Sequence, residues 1–410
     1  MQAKQFATTV VQTLQQAGYQ ALWAGGCVRD QLLGRIPKDY DVATNATPEQ
    51  VRQLFGKRKT IAIGASFGVI TIIGSKESGN IEVATFRRDS GYSDGRRPDS
   101  IEFTDAREDA IRRDFTINGM FFDPVAEKLI DYVEGKADLE CRMIRAIGDP
   151  EERIDEDKLR MLRAVRFAAT FEFELESKTL EAVQKHAHEI SAVSAERIGA
   201  EMRRMLAHSN RALAAELLKD SGLLKEILQD GEQLYQNRAN WRTRVRWLKE
   251  LGDQGSFNQA AFILLSRLIK QQGIGPSVER WKLSNAEADA ISWLESNLLT
   301  LSHGHQLAWS QIQPLMINKN TAEAAKLLEI QFGKHHEGVK FFTKRLSCQI
   351  EELNPKALID GQDLATLQIP AGPIYSTILK KVREAQLDKL LSTKEEAIQM
   401  AVEIYSSIVD

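Results

Sequence analysis

An α+β head followed by an all-helical remainder is the architecture this sequence predicts. Three patterns predict it. Short β-rich runs with alternating apolar residues are confined to positions 20–133. Beyond position 137 the strand signals largely cease and a 3.6-residue helical period takes over. Near the start, Gly25-Gly26 stand between a short apolar run and a helical pattern, the composition of a strand-to-helix turn. At 410 residues, the chain suggests two to four domains of about 100–200 residues each.

Positions 3–17 read as an amphipathic helix closed by Gly18, Gln20–Ala24 as a strand, and Cys27–Leu33 as a helix stopped by Gly34. Asp39–Thr44 reads as a strand with both its acids, Asp39 and Asp41, on one face. Thr47-Pro-Glu-Gln50 is a helix start: Thr47 suits the N-cap, Pro48 the first turn and Gln50 a capping box. Thr60–Ile63, Phe67–Ile73 and Ile81–Phe86 alternate as strands, and the polar stretch 90–98 reads as a loop. Asp105 suits the cap of a helix running to Arg112. Met120–Phe122 and Leu129–Val133 read as a hairpin about Asp123-Pro124. Helices follow at 137–146, 155–170, 177–188, 195–207, 210–219 and 222–228, with more to the C-terminus. No internal repeat or low-complexity tract is present.

Hydrophobic content of 43% and charged content of 27% are ordinary for a soluble globular chain. No run of about 18 apolar residues suggests a membrane span, and the N-terminus lacks a signal-peptide pattern. Cys27, Cys141 and Cys348 are far apart, which fits reduced thiols in a cytoplasmic protein. The net charge of -3 does not advertise a nucleic-acid binder. Basic clusters nonetheless recur at 57–59, 87–88, 96–97, 112–113, 142/145, 160–166 and 238–249. They fit either solvated faces or a phosphate-binding surface.

Asp39 and Asp41 offer hard oxygen ligands beside a turn that brings backbone close, a pattern suited to Mg²⁺ and a triphosphate. An exposed acidic edge strand fits the same residues. Glu82 is a candidate third carboxylate. No GxxxxGK[ST] and no strand-following GxGxxG occurs, which argues against P-loop and dinucleotide folds. His303/His305 and His335/His336 lack metal-ligand partners and read as surface histidines, and no His-Asp dipeptide occurs. Arg112-Arg113-Asp114…Asn118 combines guanidinium forks for phosphate with an amide for a ribose hydroxyl, or equally a basic helix end. In Glu156-Asp157-Lys-Leu-Arg160…Arg163…Arg166, a continuous helix would place Asp157 and Arg160 on one face. An acid beside an arginine can read the hydrogen-bonding edge of a base, and can also be a plain intrahelical ion pair.

Taken together, these motifs resemble the class II tRNA nucleotidyltransferase and bacterial poly(A) polymerase superfamily, a branch of the polymerase-β-like nucleotidyltransferases. Gly25-Gly26-Cys-Val-Arg29-Asp30 with Asp39-Tyr-Asp41 looks like motif A. Arg112-Arg113-Asp114…Asn118 resembles motif B, and Asp131…Gly135…Leu139…Ile144-Arg145 the motif C hinge. Glu156-Asp157-Lys-Leu-Arg160 looks like motif D, and Ala195-Glu196-Arg197-Ile198…Glu201 motif E. Tyr92…Asp94-Gly-Arg96-Arg97-Pro98 resembles the family's flexible loop. Leu358-Ile-Asp-Gly361-Gln-Asp363-Leu364 and Pro370-Ala-Gly372-Pro373 resemble its tail.

The resemblance implies a polymerase-β-like head with a small β-sheet (1–140), then an elongated all-helical neck (141–208), body (209–340) and tRNA-binding tail (341–410). It implies catalysis by Asp39 and Asp41 with Mg²⁺, Glu82 being a further candidate ligand. Gly25, Gly26, Arg29, Arg112, Arg113, Asp114 and Asn118 would hold the nucleotide's phosphates and sugar. Asp157 and Arg160 would read the base, supported by Arg163 and Arg166. The implied activity is template-independent addition of CMP and AMP to tRNA 3′ ends from CTP and ATP, with no membrane and no obligate protein partner. The presence of the flexible loop argues against CC-only addition. The segment Ile63-Gly-Ala-Ser-Phe67-Gly carries no basic pair, which argues against poly(A) synthesis. A-only addition stays open, as does a different class, a non-catalytic RNA-binding protein on the same scaffold. The intact acidic pair speaks against the latter.

Overall fold

The computed structural model describes residues 2–90, 100–228 and 231–409. The chain forms two compact units, one of Met1–Gln236 with Arg280–Lys282, the other of Asn237–Glu279 with Leu283–Asp410.

In the first unit, helix α1 (Gln2–Gln16) precedes strand β1 (Ala21–Ala24), whose four residues are all buried. The backbone at Gly25 takes φ 68° and ψ -123°, a region that costs an L-residue heavily, and this sharp turn starts α2 (Gly26–Leu32). Strand β2 (Asp41–Thr44) begins two residues later than the sequence suggests, so Asp39 lies in the segment leading into it. Asp39 and Asp41 are exposed while Tyr40 and Val42 between and beyond them are buried, the alternation expected of extended backbone. Helix α3 (Pro48–Phe55) has the expected Thr47–Gln50 capping box.

Strands β3 (Thr60–Ile61), β4 (Val69–Ile72) and β5 (Ile81–Thr85) are followed by the pair β6 (Arg87–Ser90)/β7 (Ser100–Phe103), a separate two-stranded sheet, and by α4 (Ala106–Ile111). Asp105 caps α4 by accepting from the backbone N–H groups of Arg107 and Glu108. The expected loop at 90–98 falls largely outside the described residues. Strands β8 (Phe121–Asp123) and β9 (Lys128–Ile130) form the expected hairpin. The seven-stranded sheet has the order β3-β4-β5-β2-β1-β8-β9, and β2 and β5 run parallel. Leu22, Ala24, Ala43, Phe86, Ala106, Ala110 and Phe121 make one core cluster against α4. That packing carries the helix, and the arginines after it, up to the end of the sheet where β2 begins at Asp41.

Two helical expectations are corrected. The one for 137–146 stops early: α5 spans Gly135–Glu140, and Met143–Ile144 form strand β10, which pairs in parallel with β11 (Glu174–Leu175). The one for 155–170 is two helices, α6 (Pro150–Glu156) and α7 (Leu159–Phe171). Asp157 sits between them in an extended conformation, φ -152°, and its carboxylate accepts the backbone N–H of Leu159. An acid that caps the next helix in this way interrupts the previous one. Helices α8 (Ser177–His186), α9 (Ala195–Leu206), α10 (Arg211–Asp220) and α11 (Leu223–Ile227) follow, and α7 packs against both α9 and α10.

The second unit is helical throughout its described residues, from α12 (Arg238–Glu250) to Lys394–Val409. Ile359, Leu364, Ile369, Ile378, Val382, Ala397, Ala401 and Ile404 form a core cluster of its C-terminal part. No helix among the described residues is long and apolar enough to cross a membrane.

Candidate active site

A cleft of about 580 Å³ opens in the first unit, lined by residues from α2, β2, the turn after α4, and α7. All twelve candidate nucleotide-binding and catalytic residues other than Asp39 and Glu82 line it. They are Gly25, Gly26, Arg29, Asp41, Arg112, Arg113, Asp114, Asn118, Asp157, Arg160, Arg163 and Arg166. Arg87, Phe167 and Arg204 line it too, and the sequence reading did not include them in the site. Eight arginines face three aspartates in this wall, a surplus of five positive charges. A cleft so charged suits a polyanion such as a triphosphate.

The acidic edge stands at one side. Asp41 is opposite Glu82 in the parallel β2–β5 register, so the two side chains share a face of the sheet. The Asp41 carboxyl is pushed up to about 6, first by the protein crowding around it, then by Glu82; Arg113 pulls it down and Asp39 adds a further upward push. It remains open to solvent at the start of β2, and a cation would relieve the repulsion. Hard oxygen donors in this number suit Mg²⁺. By contrast, the grouping of Asp155, His186 and Glu189 already holds a cation. The Lys158 ammonium lies 2.5 Å from both Asp155 and Glu189, and His186 Nδ1 is 2.6 Å from Glu189.

A chain of polar contacts orders the arginine side of the cleft. Arg29 Nη1 donates to Asn118 Oδ1 at 2.6 Å, and Asn118 Nδ2 donates to Asp114 Oδ1 at 3.1 Å. Arg163 closes on Asp114 Oδ2 at 2.8 and 2.5 Å. Burial pushes the Asp114 carboxyl up, but Arg163 and the two amide donors outweigh it and bring it down to about 2. A side chain at Gly25 would place its Cβ 2.9 Å from Arg113 Nη1, so that glycine clears space for the arginine as well as making the turn.

Asp109 is the principal residue that the sequence reading missed. It is 1% exposed and serves both motif arginines at once. Oδ1 accepts from Arg112 Nε (3.0 Å), Arg112 Nη2 (2.6 Å) and the Arg87 backbone N–H (3.2 Å). Oδ2 accepts from Arg113 Nε (3.1 Å) and Nη2 (2.9 Å). Burial raises its pKa, yet Arg113 and Arg112 hold it below the ordinary carboxylate value. The only sequence signal was its place one helical turn before the arginine pair.

Asp157 and Arg160, expected to read the base, are arranged differently from the expectation. Asp157 does not pair with Arg160. Its oxygens accept from Arg197 Nη1 (3.0 Å) and Nη2 (2.7 Å), across to α9. Arg160 donates to Glu156 at 2.5 Å and to the carbonyls of Arg153 and Arg112. The reason is the break between α6 and α7, which takes Asp157 off the helical face. Arg166 pairs with Glu201, which also takes Arg204 at 2.8 Å. Burial lowers the pKa of Arg166, against the upward pull of Glu201. The Phe167 ring lies under three guanidiniums, with Arg166 at 4.0 Å, Arg163 at 5.3 Å and Arg29 at 5.5 Å from its centroid. Cations over an aromatic face are attracted by its quadrupole.

Residues 21–145 match the family model described as the poly A polymerase head domain, and residues 172–234 match the one described as the probable RNA and SrmB-binding site of polymerase A. The CCA-adding enzyme of Lactobacillus johnsonii is 32% identical over 399 residues, spanning 96% of this chain and 95% of that protein. That of Lactobacillus delbrueckii subsp. bulgaricus is 33% identical, spanning 96% of each. The structure of the Bacillus stearothermophilus CCA-adding enzyme in complex with CTP superposes with a TM-score of 0.80 at 27% identity, over 99% of this chain and 98% of that one. The Thermotoga maritima CCA-adding enzyme complexed with tRNA shares the fold, with a TM-score of 0.68 at 20% identity, over 98% and 95% of the two chains.

Replacing Asp109 by Asn keeps the shape but removes the charge that braces two cations. Asp109→Asn is expected to raise the KM for nucleotide at least tenfold, with tRNA affinity unchanged. Steady-state kinetics beside a tRNA titration check it. The Asp114 shift predicts an acid limb. A carboxyl whose folded pKa is depressed stabilises the fold above its unfolded value, and that contribution is lost as pH falls. Between pH 3.8 and about 2, urea unfolding of the wild type should therefore lose stability in a step that Asp114→Asn does not show.

Proposed function

Since the chain belongs to the family of CCA-adding enzymes, we propose that it adds CMP and AMP, without a template, to the 3′ ends of tRNA, using CTP and ATP. The observation that carries the reading is the Asp41 carboxylate in the wall of an arginine-lined cleft, with Glu82 opposite it in the β2–β5 register and Asp39 beside it. In the reaction the tRNA 3′ oxygen forms a bond to the α-phosphorus, and the bond from that phosphorus to the bridging oxygen breaks. Pyrophosphate leaves, and the hydroxyl proton passes to solvent. Phosphoryl transfer of this kind needs chiefly positioning and charge stabilisation.

Asp39 and Asp41, with Glu82 alongside, would hold divalent metal, Mg²⁺ by the chemistry of the donor set. When bound, the metal supplies Lewis acidity to the attacking oxygen and to the phosphates. The chain's own residues do the rest. Arg29, Arg112 and Arg113 meet the phosphate oxygens with guanidinium forks. Asn118, held by Arg29 and Asp114, presents its amide to the sugar.

Asp157 keeps acceptor capacity on Oδ2 after Arg197 has taken its share. Cytosine N4 and adenine N6 are donors, whereas uracil and guanine present oxygen acceptors at the same place. One carboxylate therefore admits C and A and rejects U and G. Arg160, held by Glu156 and two carbonyls, supplies donors to the adjoining ring nitrogen. A tRNA-directed enzyme with three free, widely spaced thiols fits a reducing cytoplasm.

The deciding measurement offers purified protein tRNAs ending before CCA, after C and after CC, with labelled CTP and ATP. All three are expected to be completed to CCA. Extension of the CC end alone, by a single A, would make it an A-only enzyme, and long A tracts on unrelated RNA a poly(A) polymerase. Asp41→Ala should abolish all incorporation while leaving tRNA binding intact; substantial residual activity would remove Asp41 from the metal site. Asp157→Ala should admit UTP and GTP in competition, and unchanged selectivity would end its role in reading the base.

A further inference from the structure

Helix α7 meets the cleft with arginines and, one turn further on, with aromatic rings. Arg163, Phe167 and Phe171 follow one another at i, i+4 and i+8, an arc of about 80° and a rise of about 12 Å on a regular helix. The Arg163 guanidinium lies over the Phe167 ring at 5.3 Å. The Phe167 and Phe171 rings stack, with centroids 6.1 Å apart and 10° between their planes. Both rings are buried. Phe171 is the last residue of α7, and Glu172 after it turns the chain into the left-handed region.

Two cations lie over the Phe171 ring. Arg29 of α2 stands 4.5 Å from its centroid, nearer than to Phe167, and Arg35, just after α2, stands at 5.2 Å. Arg29 is 8% exposed, so its charge is largely withdrawn from water and must be met by the protein. Asp30 Oδ1 accepts from Arg29 Nε at 2.9 Å and Nη2 at 2.8 Å, and Asn118 Oδ1 accepts from Nη1 at 2.6 Å. These bonds engage each nitrogen once and leave further N–H groups for a ligand. They grip the guanidinium by its edge, whereas an aromatic ring attracts it by its face. Asp30 rides on α2 with Arg29 and cannot fix that helix against another. Phe171 belongs to α7 and can. A polar route also links the two helices, from Arg29 through Asn118 and Asp114 to Arg163; the rings make the direct one. A leucine at 171 would fill the core and offer the cation no quadrupole.

We propose that Phe171 is a positioning residue for nucleotide binding: it holds Arg29 by its face and so sets α2 against α7. The inference rests on the nucleotide roles proposed above for Arg29 and Arg160 and deepens them. A nucleotide carries its triphosphate at one end and its base at the other, so the groups that meet the two ends must keep a fixed separation. Arg29 serves the first end from α2, and Arg160 serves the second from α7. A ring of α7 packed on Arg29 ties the two together, and a small shift between them would misplace one end or the other.

The test measures equilibrium binding of labelled CTP and of labelled ATP to the wild type and to Phe171→Leu, Phe171→Tyr and Phe173→Leu. Phe173 is the packing control: it is buried, its ring centroid lies 5.7 Å from that of Phe171, and it lies over no described guanidinium. Phe171→Leu should weaken both nucleotides about tenfold, with kcat at saturating nucleotide and tRNA kept at the wild-type value. Phe171→Tyr, which keeps the ring, and Phe173→Leu should both bind as the wild type does. Arg29→Gln and the double variant Arg29→Gln/Phe171→Leu complete a cycle. Because the ring acts through Arg29, adding Phe171→Leu to Arg29→Gln should weaken binding by less than about twofold more. Unaltered affinity in Phe171→Leu would overturn the proposal, as would fully additive losses in the cycle. An equal loss in Phe173→Leu would do the same, since it would mean a general effect of packing, and so would a Tyr variant as weak as the Leu one. A wild-type protein that binds neither CTP nor ATP would instead defeat the functional reading beneath it, a result distinguishable from the others.

Discussion

Repulsion between like charges is the constraint around which the catalytic unit is built. Eight guanidiniums line one cleft, and two unit charges 4 Å apart interact by about 4 kcal/mol at an effective dielectric of 20. The fold answers with carboxylates set behind or between the arginines. Asp109 takes Arg112 and Arg113, Glu156 takes Arg160, Asp114 takes Arg163, and Glu201 takes Arg166 and Arg204. Each acid fixes the direction of its arginine as well as balancing it, because a planar fork held on one edge points its free edge elsewhere. The surplus is thereby turned toward the cleft. On the opposite edge the sign is reversed: Asp41 and Glu82 face one another with too few cations between them. A metal-bound triphosphate meets both needs, with its anionic groups for one side and its cation for the other.

What could be read from the sequence follows the range of the interactions. The Thr47 capping box, the Asp105 cap, the turn at Gly25 and the hairpin about Asp123-Pro124 are all made within a few residues. Local chemistry dictates them, and they appear where expected. The spaced motifs were legible for a similar reason, since their residue types and order carry a family pattern without requiring the contacts between them. The contacts themselves were not. Asp157 meets Arg197 forty positions away, and Arg163 meets Asp114 forty-nine away. Nothing in a linear pattern distinguishes those partners from the nearer ones. The expectation that Asp157 shares a helical face with Arg160 failed on a single local event, the capping of Leu159 by Asp157 itself. Strands β10 and β11 are two residues each, too short for any alternation to show.

Two of the missed residues, Asp109 and Phe167, share one property. Asp109 is buried and binds no candidate ligand; its work is done through Arg112 and Arg113. Phe167 is apolar and sits in a helix whose other apolar residues are core. A sequence reading that seeks groups able to touch a substrate passes over both. The acid braces the forks from behind, and the ring gives three guanidiniums a common apolar face. Without such supports the same arginines would splay into solvent, since each carries about 2 kcal/mol of rotamer entropy.

This contrast gives meaning to the arginines that have no brace. Within the catalytic unit, a cation that must point at a small ligand is held by a buried acid, and the desolvation this entails is offset by the pairing. On the outer face of α12 the cations Arg238, Arg242, Arg246 and Lys249 stand in water on flexible stems, with only Arg246 near an acid. Preorganised forks suit a ligand that must be placed to within a bond length, and unbraced side chains suit one that must be held without being read. In this chain the arginines of the cleft and the exposed ones of α12 are told apart by whether a carboxylate stands behind them.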